Sequence, residues 1–167
     1  MSARILVAYV SPKGSTAEIA QAIGKELQFA GYPVDVVEMK TVSSLEEYTA
    51  VVIGAPLYMG KVVGDMAKFI RKHLHSLERL PVAAFSVGMS PVDKNPASME
   101  KAGTIFHHAL APLEPVAETI FAGKVDPEKL SFVQKWMIKK ANAPVGDFRD
   151  WEAIAAWAKE LPGKMGI

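Results

Sequence analysis

The chain alternates between two kinds of segment. Short apolar runs of strand length are separated, about five times over, by longer segments whose apolar residues recur at helical spacing. A strand that is followed by a helix and then by another strand returns parallel to the first. Repeated, this gives a parallel sheet with helices on both faces. Right-handed crossovers leave few windings, and for 167 residues the doubly wound order 2-1-3-4-5 is the common one. The expected class is therefore α/β, a five-stranded doubly wound parallel sheet in a three-layer α/β/α arrangement.

The strands are expected at residues 4–10, 34–38, 50–54, 82–87 and 116–121. Between the first two, Ile19, Ala20, Ile23, Leu27 and Ala30 share one helical face, and Gly31 closes that helix. Val63, Met66, Phe69, Ile70, Leu74 and Leu77 mark a second helix. Asn95 can cap a third with Pro96 at its first position; Met99, Ala102, Phe106 and Ala109 would face inward. Asp150 caps a last helix with Trp151, Ile154, Ala155, Ala158 and Leu161 inward. The 25 or so residues from Lys124 to Arg149 exceed a plain connection. They carry a helical stretch at 130–141, so they read as an ordered insertion within a single domain spanning 1–167.

Composition narrows the chemistry. There is no cysteine, so disulfides, thiolate catalysis and Cys-ligated metals are out. Lys and Arg total 19 against 18 Asp and Glu, a net charge of +1 that gives no general pull toward nucleic acid. The four histidines stand at positions that diverge on their helices, without a carboxylate at metal spacing, and no metal site is expected. No stretch approaches the roughly 20 apolar residues that span a bilayer. The apolar run at the start is short for a signal peptide, so a cytoplasmic protein is expected.

In an open α/β sheet the ligand crevice lies beyond the carboxyl ends of the strands, where the winding reverses. Three loops meet there. The first is Ser11-Pro12-Lys13-Gly14-Ser15-Thr16, directly before a helix. Three hydroxyls, a cation and a glycine at a helix N-terminus suit a phosphate group; a plain capped turn is the alternative. The Walker pattern and the Gly-x-Gly-x-x-Gly fingerprint are both absent. Acidic residues of a receiver domain are missing at the end of the first strand. The second loop is Ala55-Pro56-Leu57-Tyr58-Met59-Gly60, where the tyrosine ring could stack on a flat ligand. The third begins Ser86-Val87-Gly88 and continues through Met89, Ser90 and Pro91. Each of these two could equally be a packed turn.

These residues resemble the flavodoxin family. Ser11, Gly14, Ser15 and Thr16 match its phosphate loop, while Pro12 and Lys13 depart from the commonest form. Pro12 removes an N–H donor, and the Lys13 cation could partly replace it. The resemblance implies a flavodoxin-like fold and FMN as cofactor. It implies cofactor contacts from Ser11, Lys13, Gly14, Ser15, Thr16, Ala55, Pro56, Leu57, Tyr58, Met59, Gly60, Ser86, Val87 and Gly88. Within the family, Val52-Ile53-Gly54-Ala55, Tyr58-Met59-Gly60 and Phe85-Ser86-Val87 resemble menaquinone-dependent protoporphyrinogen dehydrogenases. So do Ala122-Gly123, Trp136-Met137-Ile138-Lys139 and Asp150-Trp151-Glu152.

Three functions are weighed on that basis. One is an FMN oxidoreductase passing electrons from a reduced substrate to a quinone, with a role in heme biosynthesis implied by the resemblance. Another is a soluble electron carrier, which a net charge of +1 suits poorly if its partners are basic. The last is a flavin-free interaction module. Leu130, Val133, Trp136 and Met137 share a helical face beside Lys135, Lys139 and Lys140. Residues 129–141 could therefore touch a membrane surface where a quinone resides, or simply pack on the domain. No side chain is assigned acid–base chemistry.

Overall fold

The computed structural model describes residues 3–58, 60–93, 95–141 and 145–167. Five strands form the main sheet: β1 (Ile5–Tyr9), β2 (Val34–Glu38), β3 (Ala50–Tyr58), β4 (Val82–Gly88) and β5 (Ala117–Ala122). All four neighbouring pairs are parallel, and the spatial order is β2-β1-β3-β4-β5, as the alternation requires. Between and after them run α1 (Ser15–Phe29), α2 (Gly64–Leu77), α3 (Pro96–Leu110), α4 (Phe132–Ala141) and α5 (Trp151–Met165).

The two-residue period of a strand sorts the core onto two faces. Ile5 and Val7 of β1 join Ile19, Ile23 and Leu27 of α1 and Ile154, Trp157 and Leu161 of α5. Leu6 and Ala8 join Met66, Phe69 and Ile70 of α2 and Phe106 and Leu110 of α3 on the other side. The helix caps follow the sequence. Asn95 accepts from Ala97 N–H at 2.9 Å, and Asp150 Oδ1 accepts from Ala153 N–H at 3.0 Å.

Two expectations are corrected. β3 does not stop at Gly54 but runs to Tyr58. Past Gly54 it still pairs with β4 through Ala55 and Pro56, then with a two-residue antiparallel strand, Lys61–Val62, through Leu57 and Tyr58. β1 goes no further than Gly54, so Pro56 stands where β3 has one unpaired side and its missing N–H costs little. Trp151 is not an inward residue: it is 43% exposed, with the Arg149 guanidinium 4.7 Å from its ring. The tryptophan that α5 buries is Trp157, edge-on to Phe85 and Phe121.

Among the described residues, the insertion is closed at its base. Lys124–Val125 pairs antiparallel with Gly146–Asp147. Phe148 N–H donates to Gly123 O at 3.1 Å, and Gly123 N–H donates to Gly88 O at 3.0 Å, which ties that base to the end of β4. A 3₁₀ turn, Pro127–Lys129, leads to α4. Ser131 and Gln134 cap α4 reciprocally: Ser131 Oγ accepts from Gln134 N–H at 3.2 Å, and Gln134 Oε1 accepts from Ser131 N–H at 3.0 Å. Arg149 fastens the far end. Its side chain is only 5% exposed and lies 2.7 Å from both Glu18 of α1 and Asp147.

Two measurements check this packing. Gly54 faces Phe85 across the β3–β4 register, and a Cβ on Gly54 would overlap the Phe85 ring. Gly54→Ala should therefore cost about 2 kcal/mol in urea unfolding, as overpacked cores do; an unchanged midpoint would contradict the packing. The hydrogen bond from Arg149 pulls the Asp147 carboxyl from 3.8 down to about 2. Its contribution is whole above the ordinary carboxylate range and is lost as pH falls through about 2. The stability gap between wild type and Asp147→Asn should then be constant near neutrality and shrink below about pH 4. A gap independent of pH down to 2 would mean Asp147 is not held as described.

Candidate functional site

The loop after β1 ends in a left-handed residue. Gly14 has φ +92°, a conformation that side chains resist, and α1 begins at the next residue. Glu18 N–H donates to Gly14 O at 3.2 Å, and Ala17 N–H donates to Ser11 Oγ at 2.9 Å. The N–H groups of Ser15 and Thr16 take no acceptor among the described residues. Thr16 is 1% exposed, yet its hydroxyl also has no partner there. A buried hydroxyl without a partner costs about 1–3 kcal/mol. Two open N–H groups and an orphaned hydroxyl in one helical turn, at the positive end of the helix dipole, form a cradle for an anion.

That cradle borders a cavity of about 610 Å³. Lys13, Ser15 and Glu18 line it from the loop and α1, and Leu57, Tyr58 and Gly60 from the turn after β3. Met89 and Ser90 follow β4. Ser98, Lys101, Ala102 and Ile105 project from α3. The insertion supplies the remaining wall: Lys124, Val125, Asp126, Lys129, Leu130, Gln134, Met137 and Ile138. Burial raises the Tyr58 phenol above its ordinary pKa.

Five of the residues expected from the sequence therefore line the cavity: Lys13, Ser15, Leu57, Tyr58 and Gly60. Ser11, Gly14 and Thr16 build the cradle beside it. Ala55, Pro56, Ser86, Val87 and Gly88 are buried strand residues outside the lining; Ser86 Oγ donates to Ala55 O at 2.9 Å. Met59 lies outside the described residues. The Lys13 ammonium donates at 2.9 Å to the carbonyl of Lys129, which ties the loop to the insertion.

The α3 and insertion walls were not among the expected site residues. Ser98, Lys101, Ala102 and Ile105 do share a helical face at three- and four-residue spacing, the one available signal. His107 pairs with Glu118 at 2.7 Å, away from the cavity. Among the described residues no group of three His, Asp or Glu could hold a metal.

The fold and the anion cradle at the winding reversal are those of a doubly wound α/β ligand-binding protein, and the chain belongs to the flavodoxin domain family, whose profile matches residues 6–151. FMN is accordingly its cofactor, and its activity is redox chemistry. Among individual proteins, it is 26% identical to the protoporphyrinogen IX dehydrogenase [quinone] of Escherichia coli K12, over 95% of this chain and 94% of that one. A protein of the same name from Leishmania major is 24% identical over 96% of this chain and 75% of its own. In structure it resembles flavodoxin 1 of Bacillus cereus, with TM-score 0.62, 15% identity and coverage of 96% and 98%. It also resembles the Streptococcus pneumoniae TIGR4 flavodoxin, with TM-score 0.59, 22% identity and coverage of 97% and 99%.

Thr16→Val removes the orphaned hydroxyl and keeps the shape. The flavin-free chain should lose no stability, while FMN affinity should fall about tenfold or more, read by quenching of flavin fluorescence. A variant that binds FMN as wild type does would show that the cradle holds no phosphate.

Proposed function

We propose that the protein is an FMN-dependent oxidoreductase acting like a quinone-dependent protoporphyrinogen oxidase. The flavin phosphate occupies the cradle at Ser11–Thr16. The observation that supports the reading is the insertion, which forms one wall of the cavity that Tyr58 and the phosphate loop also line. When bound, FMN supplies the redox step itself. The chain's residues bind and orient. Tyr58 and Leu57 bound the ring region. Ala102, Ile105, Leu130, Met137 and Ile138 give an apolar wall that excludes water. Lys101 and Lys124 on that wall favour an anionic substrate. The contacts assigned to Ala55, Pro56, Ser86, Val87 and Gly88 are then backbone contacts at the ends of β3 and β4, and Met59 keeps its assignment from the sequence.

With FMN supplying the redox chemistry, the electrons taken from the substrate would be delivered to a quinone. On α4, Phe132 is 85%, Val133 62% and Trp136 55% exposed. Lys135, Lys139 and Lys140 stand among them, with the Lys140 ammonium 4.8 Å from the Trp136 ring. An aromatic face with lysines suits the interface of an anionic bilayer, which is where a quinone would be met. No helix of the described residues is long and apolar enough to cross a membrane. The protein would work in the cytoplasm, at the inner face of the membrane.

The alternative is a carrier without its own substrate, which the flavodoxin fold also fits. An anaerobic assay separates the two: FMN-loaded protein, protoporphyrinogen, and a menaquinone analogue carried in vesicles with anionic lipid. Formation of porphyrin matched by reduced quinone is the expected result. No turnover, with stepwise flavin reduction by a protein donor, would establish the carrier.

A further inference from the structure

The ammonium of Lys13, the cation expected in the phosphate loop, donates to Lys129 O at 2.9 Å. In return, the Lys129 ammonium donates to Lys13 O at 3.4 Å. These reciprocal bonds span 116 residues of sequence and hold Lys129 against the loop. Its Nζ lies 3.5 Å from where a Cβ on Gly14 would stand, beside the residue that opens α1. The carboxylates nearby in the cavity are engaged elsewhere. Glu18 is bound by Arg149 at 2.7 Å, and Asp126 Oδ1 accepts from Glu128 N–H at 3.0 Å. Lys129 has no ion-pair partner among the described residues.

We infer that Lys129, carried by the insertion, supplies the positive charge for the FMN phosphate at Gly14–Thr16. The inference rests on the placement of the phosphate in that loop. The need for the charge is physical. A phosphate monoester carries between one and two negative charges near pH 7. Pro12 takes one N–H out of the loop, and a helix N-terminus offers only about half a charge. The orphaned Thr16 hydroxyl and the open Ser15 and Thr16 N–H groups give directional donors, and Lys129 gives the monopole. The consequence reaches beyond affinity. A phosphate bridging Lys129 and α1 would add a further tie between the insertion and the phosphate loop.

The test compares two flavins that differ only in the phosphate. FMN and riboflavin are titrated into the flavin-free chain, wild type, Lys129→Gln and Lys129→Arg, at low and high salt. Lys129→Gln should weaken FMN about tenfold and leave riboflavin unchanged, because a charge-assisted hydrogen bond is lost only with the phosphate. The dependence of FMN affinity on salt should flatten in the same variant, and Lys129→Arg should restore most of the loss. Equal weakening of both flavins would mean that Lys129 only props the insertion, and an unchanged FMN affinity would mean that it does not meet the phosphate; either overturns the inference. Wild-type protein that binds riboflavin as tightly as FMN would overturn the placement of the phosphate itself, a separable failure.

Discussion

Two-sided burial of the central strands is the constraint on which the rest depends. Ile5 to Ala8 of β1 and Ala50 to Ile53 of β3 are shut off from solvent on both faces. Helices must therefore cover each face, and polar chemistry is displaced to the strand ends. Because the winding reverses between β1 and β3, the connections there diverge and leave a crevice. The N-terminus of α1 opens into it. The close approach of Phe85 to Gly54 is part of the same constraint, since it keeps β3 and β4 packed just below that crevice.

A crevice at the end of an open sheet exposes one edge of whatever it holds. Here the insertion changes that. Its base is tied to Gly88 by way of Gly123, and its end is locked to α1 through Arg149. Its 3₁₀ turn is strapped to the phosphate loop through Lys13. Fixed at three places, it stands as a wall facing α3. The wall is also where the proposed cofactor cation, the apolar substrate lining and the exposed lysine-rich face of α4 come together.

Much of this was legible in the sequence, for local reasons. Strand order followed from alternation, and the caps at Asn95 and Asp150 from side chains that bond within three residues. The reciprocal cap of Ser131 and Gln134 was not read: the sequence placed that helix from 130, whereas it starts at Phe132. What else escaped was long-range. Pro56 looks like the end of a strand unless one knows that β1 has already ended beside it. Trp151 fits the inward spacing of α5, but Arg149 claims its ring. Lys13 stands in the phosphate loop, but no spacing reveals that its ammonium donates to a carbonyl 116 residues away. The cavity walls on α3 and the insertion depend on which elements face each other across open space, and no residue spacing encodes that.

The central claim is that one flavin engages both the loop at Ser11–Thr16 and the insertion. Amide hydrogen exchange tests it most directly, comparing the chain with and without FMN. The account predicts slowed exchange at Ser15 and Thr16, whose N–H groups await an acceptor, and together with it at 124–138. Protection confined to other parts of the fold, with both segments exchanging as in the flavin-free chain, would contradict it.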